Sequence, residues 1–129
     1  MNLAYIDASA LTKLILDEPG SAAMRRWYVE AERVACSVVG LIETRRAVAR
    51  RDGDRRNLDL VLRSVVALEV DSFVIQSAAA LLPTSLRTLD AIHVASAQGL
   101  ASELDAFVTY DDRLADAARA VGLPVVRPA

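Results

Sequence analysis

Cysteine occurs once in this chain of 129 residues, at Cys36, and lysine once, at Lys13. A lone cysteine excludes an internal disulfide, and the apolar setting VACSVV suits a buried free thiol in a reducing compartment. Long apolar runs are missing too. The longest uncharged stretches, such as 72–86, contain Ser, Gln, Thr and Pro, so none supplies the roughly 20 apolar residues that a membrane span needs. The opening MNLAYIDAS has no basic segment and soon reaches Asp7, which argues against a secretory signal and makes the cytoplasm the expected compartment. Net charge is only −2 and the sequence pI about 5.3, so overall charge makes no case for nucleic-acid binding. Absent as well are a GxxxxGKS/T phosphate loop, a GxGxxG turn after a strand, and a Ser or Cys in a nucleophile elbow.

What is present reads as one compact domain over 1–129. Apolar residues make up 53% and charged residues 25%, an ordinary balance for a chain long enough for one core and too short for two. Short apolar runs alternate with longer helical patterns, the signature of strand–helix units around a parallel sheet. Strands are expected near 3–6, 33–36, 67–70, 106–109 and 124–126. Helices fill the intervals, with Ser9, Ser21, Ser72 and Thr88 as expected N-caps, Ser37 just before the third helix, and Gly53, Pro83 and Gly122 as stops. The fourth helix is expected over 55–66, and the sixth to pack through Leu89, Ile92, Ala95, Ser96 and Gly99. The fold class is therefore α/β, a three-layer α/β/α domain with a central parallel sheet of about five strands.

Functional groups in such a sheet collect at its carboxyl edge, where strands end and helices begin. Four acids occupy such junctions. Asp7 ends the first strand, Glu43 lies in the helix after the second, Asp90 follows Thr88 by two residues, and Asp111 follows the strand AFVT. Singly, an acid on a first helical turn gains only about 0.3–1 kcal/mol from the helix dipole, which would suffice for Asp90, Asp111 or Asp112. Asp7 and Glu43, however, are set in apolar runs where a solvated acid is out of place. Were all four to converge within about 5 Å, each pair would repel by about 3 kcal/mol at an effective dielectric near 20. Such a cluster must take up protons or bind a divalent cation, and oxygen donors without a Cys or His set point to Mg²⁺ or Mn²⁺. His93, the only histidine, is expected to be a hydrogen-bonded structural residue and not a ligand. A carboxylate-held Mg²⁺ commonly serves phosphate chemistry.

Seven of the fourteen arginines fall within 45–63. Arg50, Arg51, Arg55 and Arg56 are candidates for holding a polyanionic backbone, the alternative being a solvated or subunit-contacting helix face. Trp27 and Tyr28 are assigned either to core packing or to a partner surface.

The segments YIDASALTKLIL, LIETRRA, LRTLDAIHVASA and FVTYDDRLADAARAVGLPVV resemble, in order and spacing, the PIN-domain ribonucleases, most closely the VapC-type toxins of toxin–antitoxin pairs. That resemblance spans essentially the whole chain and closes on the T-x-D motif at Thr109–Asp111. It implies a PIN-like fold and a Mg²⁺-dependent endoribonuclease whose acidic site comprises Asp7, Glu43, Asp90 and Asp111. Asp7 and Asp90 would be the direct ligands, the other two acting in part through water, with Ser9 and Thr109 supporting them. It also implies an RNA substrate, a homodimer and a small VapB-like antitoxin partner. Aromatic residues make up only 5%, so base stacking is not expected to dominate recognition. Two rivals fail on residue type: a dehalogenase-like phosphatase needs an acid where Ser9 stands, and a receiver domain needs a lysine late in the sheet. The alternatives left open are a catalytically silent RNA- or protein-binding module and a general RNA-processing nuclease without an antitoxin.

Overall fold

Every side chain of β1 (Leu3–Ile6) is buried, as a central strand covered on both faces requires. The computed structural model describes residues 2–129. In chain order β1 is followed by α1 (Ala8–Ile15), α2 (Ser21–Glu30), β2 (Arg33–Ser37), α3 (Val38–Arg50), α4 (Arg55–Arg63), β3 (Val66–Leu68), α5 (Ser72–Ala80), α6 (Thr88–Gln98), β4 (Ala106–Val108), α7 (Asp112–Ala120) and β5 (Val125–Val126). The five strands form one parallel sheet in the order β3-β2-β1-β4-β5. Alternation along each strand divides the core. Ala4, Ile6, Val34, Cys36, Ala106 and Val108 face the layer built by α1 to α4, whereas Tyr5 and Phe107 face Val94, Ala97, Leu114 and Ala118 of α6 and α7. The expected three-layer α/β/α architecture is thus what the chain forms. No helix among the described residues is long and apolar enough to cross a membrane.

From β1 the chain moves outward through β2 to β3, then returns to the other side of β1 for β4 and β5. The gap between the carboxyl ends of β1 and β4 is consequently the switch point of the sheet, where open α/β folds place their ligands. Asp7 and Thr109 flank that gap.

Several local expectations need correction. Asp7, not Ser9, caps α1 by accepting from the Ala10 amide, and Asp71, not Ser72, caps α5. Gly20 stands at the cap of α2, while the Ser21 hydroxyl donates instead to the Leu16 carbonyl. Thr88 is the first residue of α6 and does not cap it. Ser37 does cap α3. At α1 and α5 the carboxylate wins because an ionised acceptor holds free helical amides more strongly than a hydroxyl does. α4 ends at Arg63, earlier than its apolar stripe suggests, because Val66–Leu68 is drawn into pairing with β2. After α3 the left-handed residue is Asp52 (φ 51°), and Gly53 is needed for room: a Cβ there would stand 2.5 Å from Val48 and 2.8 Å from Leu16. Leu89 on α6 and Gly99 just past its end are exposed, and the buried face is Ala91, His93, Val94, Ala95, Ser96 and Ala97. Cys36 is a buried free thiol, as expected. Trp27 and Tyr28 pack, half-buried, against the α1–α4 core.

Candidate active site

The Asp7 amide bonds to the Val108 carbonyl at 3.2 Å, which carries the β1–β4 ladder one step past the strands. This fixes the Asp7 carboxylate in the switch-point gap, only 3% exposed. The Ser9 hydroxyl lies 2.7 and 2.9 Å from its two oxygens, and Thr109 Oγ1 donates to Oδ2 at 2.5 Å. Ser9 Oγ in turn accepts from the Tyr110 amide, and Thr109 Oγ1 accepts from the Asp111 amide. The two hydroxyls named from the sequence as supports therefore lace the end of β1 to the end of β4. Burial raises the Asp7 carboxyl above its ordinary range despite the opposing hydrogen bonds from Thr109 and Ser9.

Asp111 caps α7, accepting from the Arg113 and Leu114 amides. Its neighbour Asp112 points outward to Arg127 at 2.7 Å with a highly exposed side chain, whereas the charge of Asp111 bears on Asp90. Asp90, on the first turn of α6, is half-buried and accepts no hydrogen bond from the described residues. Burial, and next the charge of Asp111, raise its carboxyl. Glu43, on the second turn of α3, meets His93 Nε2 at 2.7 Å and keeps a third of its side chain exposed. None of the four acids pairs with a lysine or arginine among the described residues.

The acids gather less tightly than the sequence argument supposed. Among the described residues no three His, Cys, Asp or Glu side chains stand close enough together to ligate one ion. The reason is local: Asp7, Glu43 and Asp111 are each turned toward a donor of their own. A hard divalent cation still fits this donor set, because Mg²⁺ uses one or two carboxylates and keeps several waters. Asp7 and Asp90 are the oxygens that could hold it, both being carboxylates whose charge burial penalises.

Two grooves flank Glu43. One is lined by Val39, Ile42, Arg46, Arg50 and Leu89, the other by Ser9, Thr12, Lys13, Arg50 and Tyr110 among others. Of the arginines singled out in the sequence, Arg50 borders both. Arg51 is turned to Glu18, and Arg55 and Arg56 begin α4 and line neither groove. Sequence reasoning missed Arg46 and Lys13. Arg46 was within reach of it, since positions 43, 46 and 50 share one helical face.

A family model described as the PIN domain matches residues 4–120. Ribonuclease VapC46 of Mycobacterium tuberculosis is 41% identical over 134 residues, covering 99% of each chain. The crystal structure of VapC20 from the same species, a toxin that cleaves the sarcin–ricin loop, shares 19% identity at a TM-score of 0.75, covering 97% of this chain and 99% of that one. A toxin–antitoxin complex from Klebsiella pneumoniae shares 20% identity at a TM-score of 0.73, covering 98% of both chains.

Proposed function

Because this chain belongs to the PIN-domain family, in its VapC ribonuclease branch, we propose that it is a Mg²⁺- or Mn²⁺-dependent endoribonuclease acting as the toxin of a toxin–antitoxin pair. The observation that supports this reading is the buried, charge-disfavoured carboxylate of Asp7 at the β1–β4 switch point, together with Asp90, on whose carboxyl the charge of Asp111 bears and which forms no ion pair with a lysine or arginine among the described residues. Asp7 and Asp90 are the residues that would hold the ion. Bound there, it would offset charge developing on a phosphate and make water a competent nucleophile at neutral pH. The protein's own work is positional: Ser9 and Thr109 hold Asp7, the α7 cap holds Asp111, and Glu43 faces the grooves through which a strand would pass. Arg46 and Arg50 lie where they would meet backbone phosphates. A VapB-like antitoxin is the partner this reading requires. Pairing of two copies is supported by apolar side chains left exposed on α5 and α6, among them Phe73, Ile75 and Leu89.

Incubation of the purified protein with structured RNA should give cleavage in Mg²⁺ or Mn²⁺ and none in EDTA. Absence of metal-dependent cleavage across a broad RNA panel would instead favour a binding module. Substituting alanine for Arg46 and Arg50 together should weaken RNA binding in all sequences alike and lower the slope of log K against log salt by about 1 per lost phosphate contact. The same change at Arg55 and Arg56 should leave that slope unaltered. If the slope instead follows Arg55 and Arg56, the RNA path runs over α4 and not beside Glu43.

A further inference from the structure

Tyr5, Gly40 and His93 have no part in the chemistry above, yet they build a buried file that ends on Glu43. The Ser37 amide donates to the Tyr5 hydroxyl oxygen at 3.1 Å, and the other partner of that hydroxyl is His93 Nδ1 at 2.6 Å. Glu43 Oε1, a carboxylate oxygen, can only accept, so the ring hydrogen belongs on Nε2, 2.7 Å away, and Nδ1 is left to accept from the Tyr5 hydroxyl. Both rings are enclosed: Tyr5 is fully buried and stacked on Phe107, and His93 is 3% exposed. Gly40 marks where α3 passes the imidazole. A Cβ there would stand 2.8 Å from His93 Cε1 and 2.4 Å from Cys36 Sγ, so a side chain at this position would push the ring away from Glu43.

We infer that His93 is a positioning residue: held in its Nε2–H form between Glu43 and Tyr5, it fixes the Glu43 carboxylate in one orientation at the edge of the acidic cleft. The inference rests on the ribonuclease reading for its effect on rate, but not for the hydrogen-bond file itself. A carboxylate swinging free on α3 would sample several rotamers, whereas one tied to an immobile ring keeps a single approach to a strand in the grooves.

The chain has one histidine, so protein labelled with ¹⁵N in imidazole gives one unambiguous pair of ring nitrogen signals. In the wild type at neutral pH, Nε2 should show the protonated shift and Nδ1 the acceptor shift. Tyr5→Phe keeps the ring on Phe107 and should let the tautomers mix, lowering kcat about 10-fold with KM within about twofold. His93→Gln supplies an amide hydrogen toward Glu43 and should retain most of the rate. His93→Leu should lose about 10- to 100-fold. A wild-type ring with its hydrogen on Nδ1 overturns the inference. So do equal rates in His93→Leu and wild type, or equal losses in His93→Leu and His93→Gln, since the latter would mark the ring as packing alone. If His93→Leu does not fold, Tyr5→Phe decides by itself, and unchanged tautomer and rate in that variant overturn the inference. Wild-type protein that cleaves no RNA removes the ribonuclease reading instead, while the nitrogen shifts still test the file.

Discussion

Asp90→Asn is expected to abolish RNA cleavage and, in EDTA, to raise the melting temperature. Losing a ligand to a catalytic cation removes several kcal/mol of transition-state stabilisation, on the order of a thousandfold in rate at about 1.4 kcal/mol per decade. The effect on stability runs the other way because Asp90 accepts no hydrogen bond from the described residues, and burial together with Asp111 disfavours its ionised form. A carboxyl raised in the folded state above its unfolded value near 4 binds more protons folded than unfolded in the interval between them. Its stabilising contribution is therefore complete below about pH 4 and is lost as pH rises through the folded-state value. Metal-free wild type should accordingly melt at falling temperature from pH 4 toward neutrality, and Asp90→Asn should flatten part of that decline, with Asp7 supplying the remainder. Thermal melts in EDTA over this range check the sign, and full cleavage by the variant would reduce Asp90 to a helix-dipole residue.

Phe107→Ala carries the largest expected loss of stability. The ring is wholly buried in the middle of β4, lies 5.2 Å from the Tyr5 ring at 11°, and closes the face of the sheet against Val94, Leu114 and Ala118. Truncation of a buried phenylalanine costs about 3–5 kcal/mol, part in lost transfer energy and part in the cavity left behind. Urea unfolding should show the midpoint fall at unchanged m. A cost below about 1 kcal/mol would mean that α6 and α7 close over the vacated space.

The sheet was legible in the sequence because parallel strands buried on both faces leave continuous apolar runs, and LAYI and AFV are such runs. The acids at their ends followed from the same pattern, whereas strand order and register depend on pairing between segments distant in the chain. Caps were harder to read: in IDAS and VDSF both an acid and a serine are competent, and which of them takes the amides depends on where the preceding strand or loop stops. The file from Tyr5 to Glu43 left no local trace, since Tyr5, Gly40 and His93 come from three separate elements and each alone is an ordinary core residue. The looseness of the acid cluster was equally hidden, because it depends on which donor each carboxylate finds after folding.

Among the four acids, two are also structural fasteners: Asp7 closes the first turn of α1 and Asp111 that of α7. Their loss would erode the architecture along with any activity, whereas Asp90 fastens nothing. A descendant drifting toward a non-enzymatic role would therefore be expected to shed Asp90 first, leaving a sound, inert body that still offers both grooves to whatever the active ancestor bound.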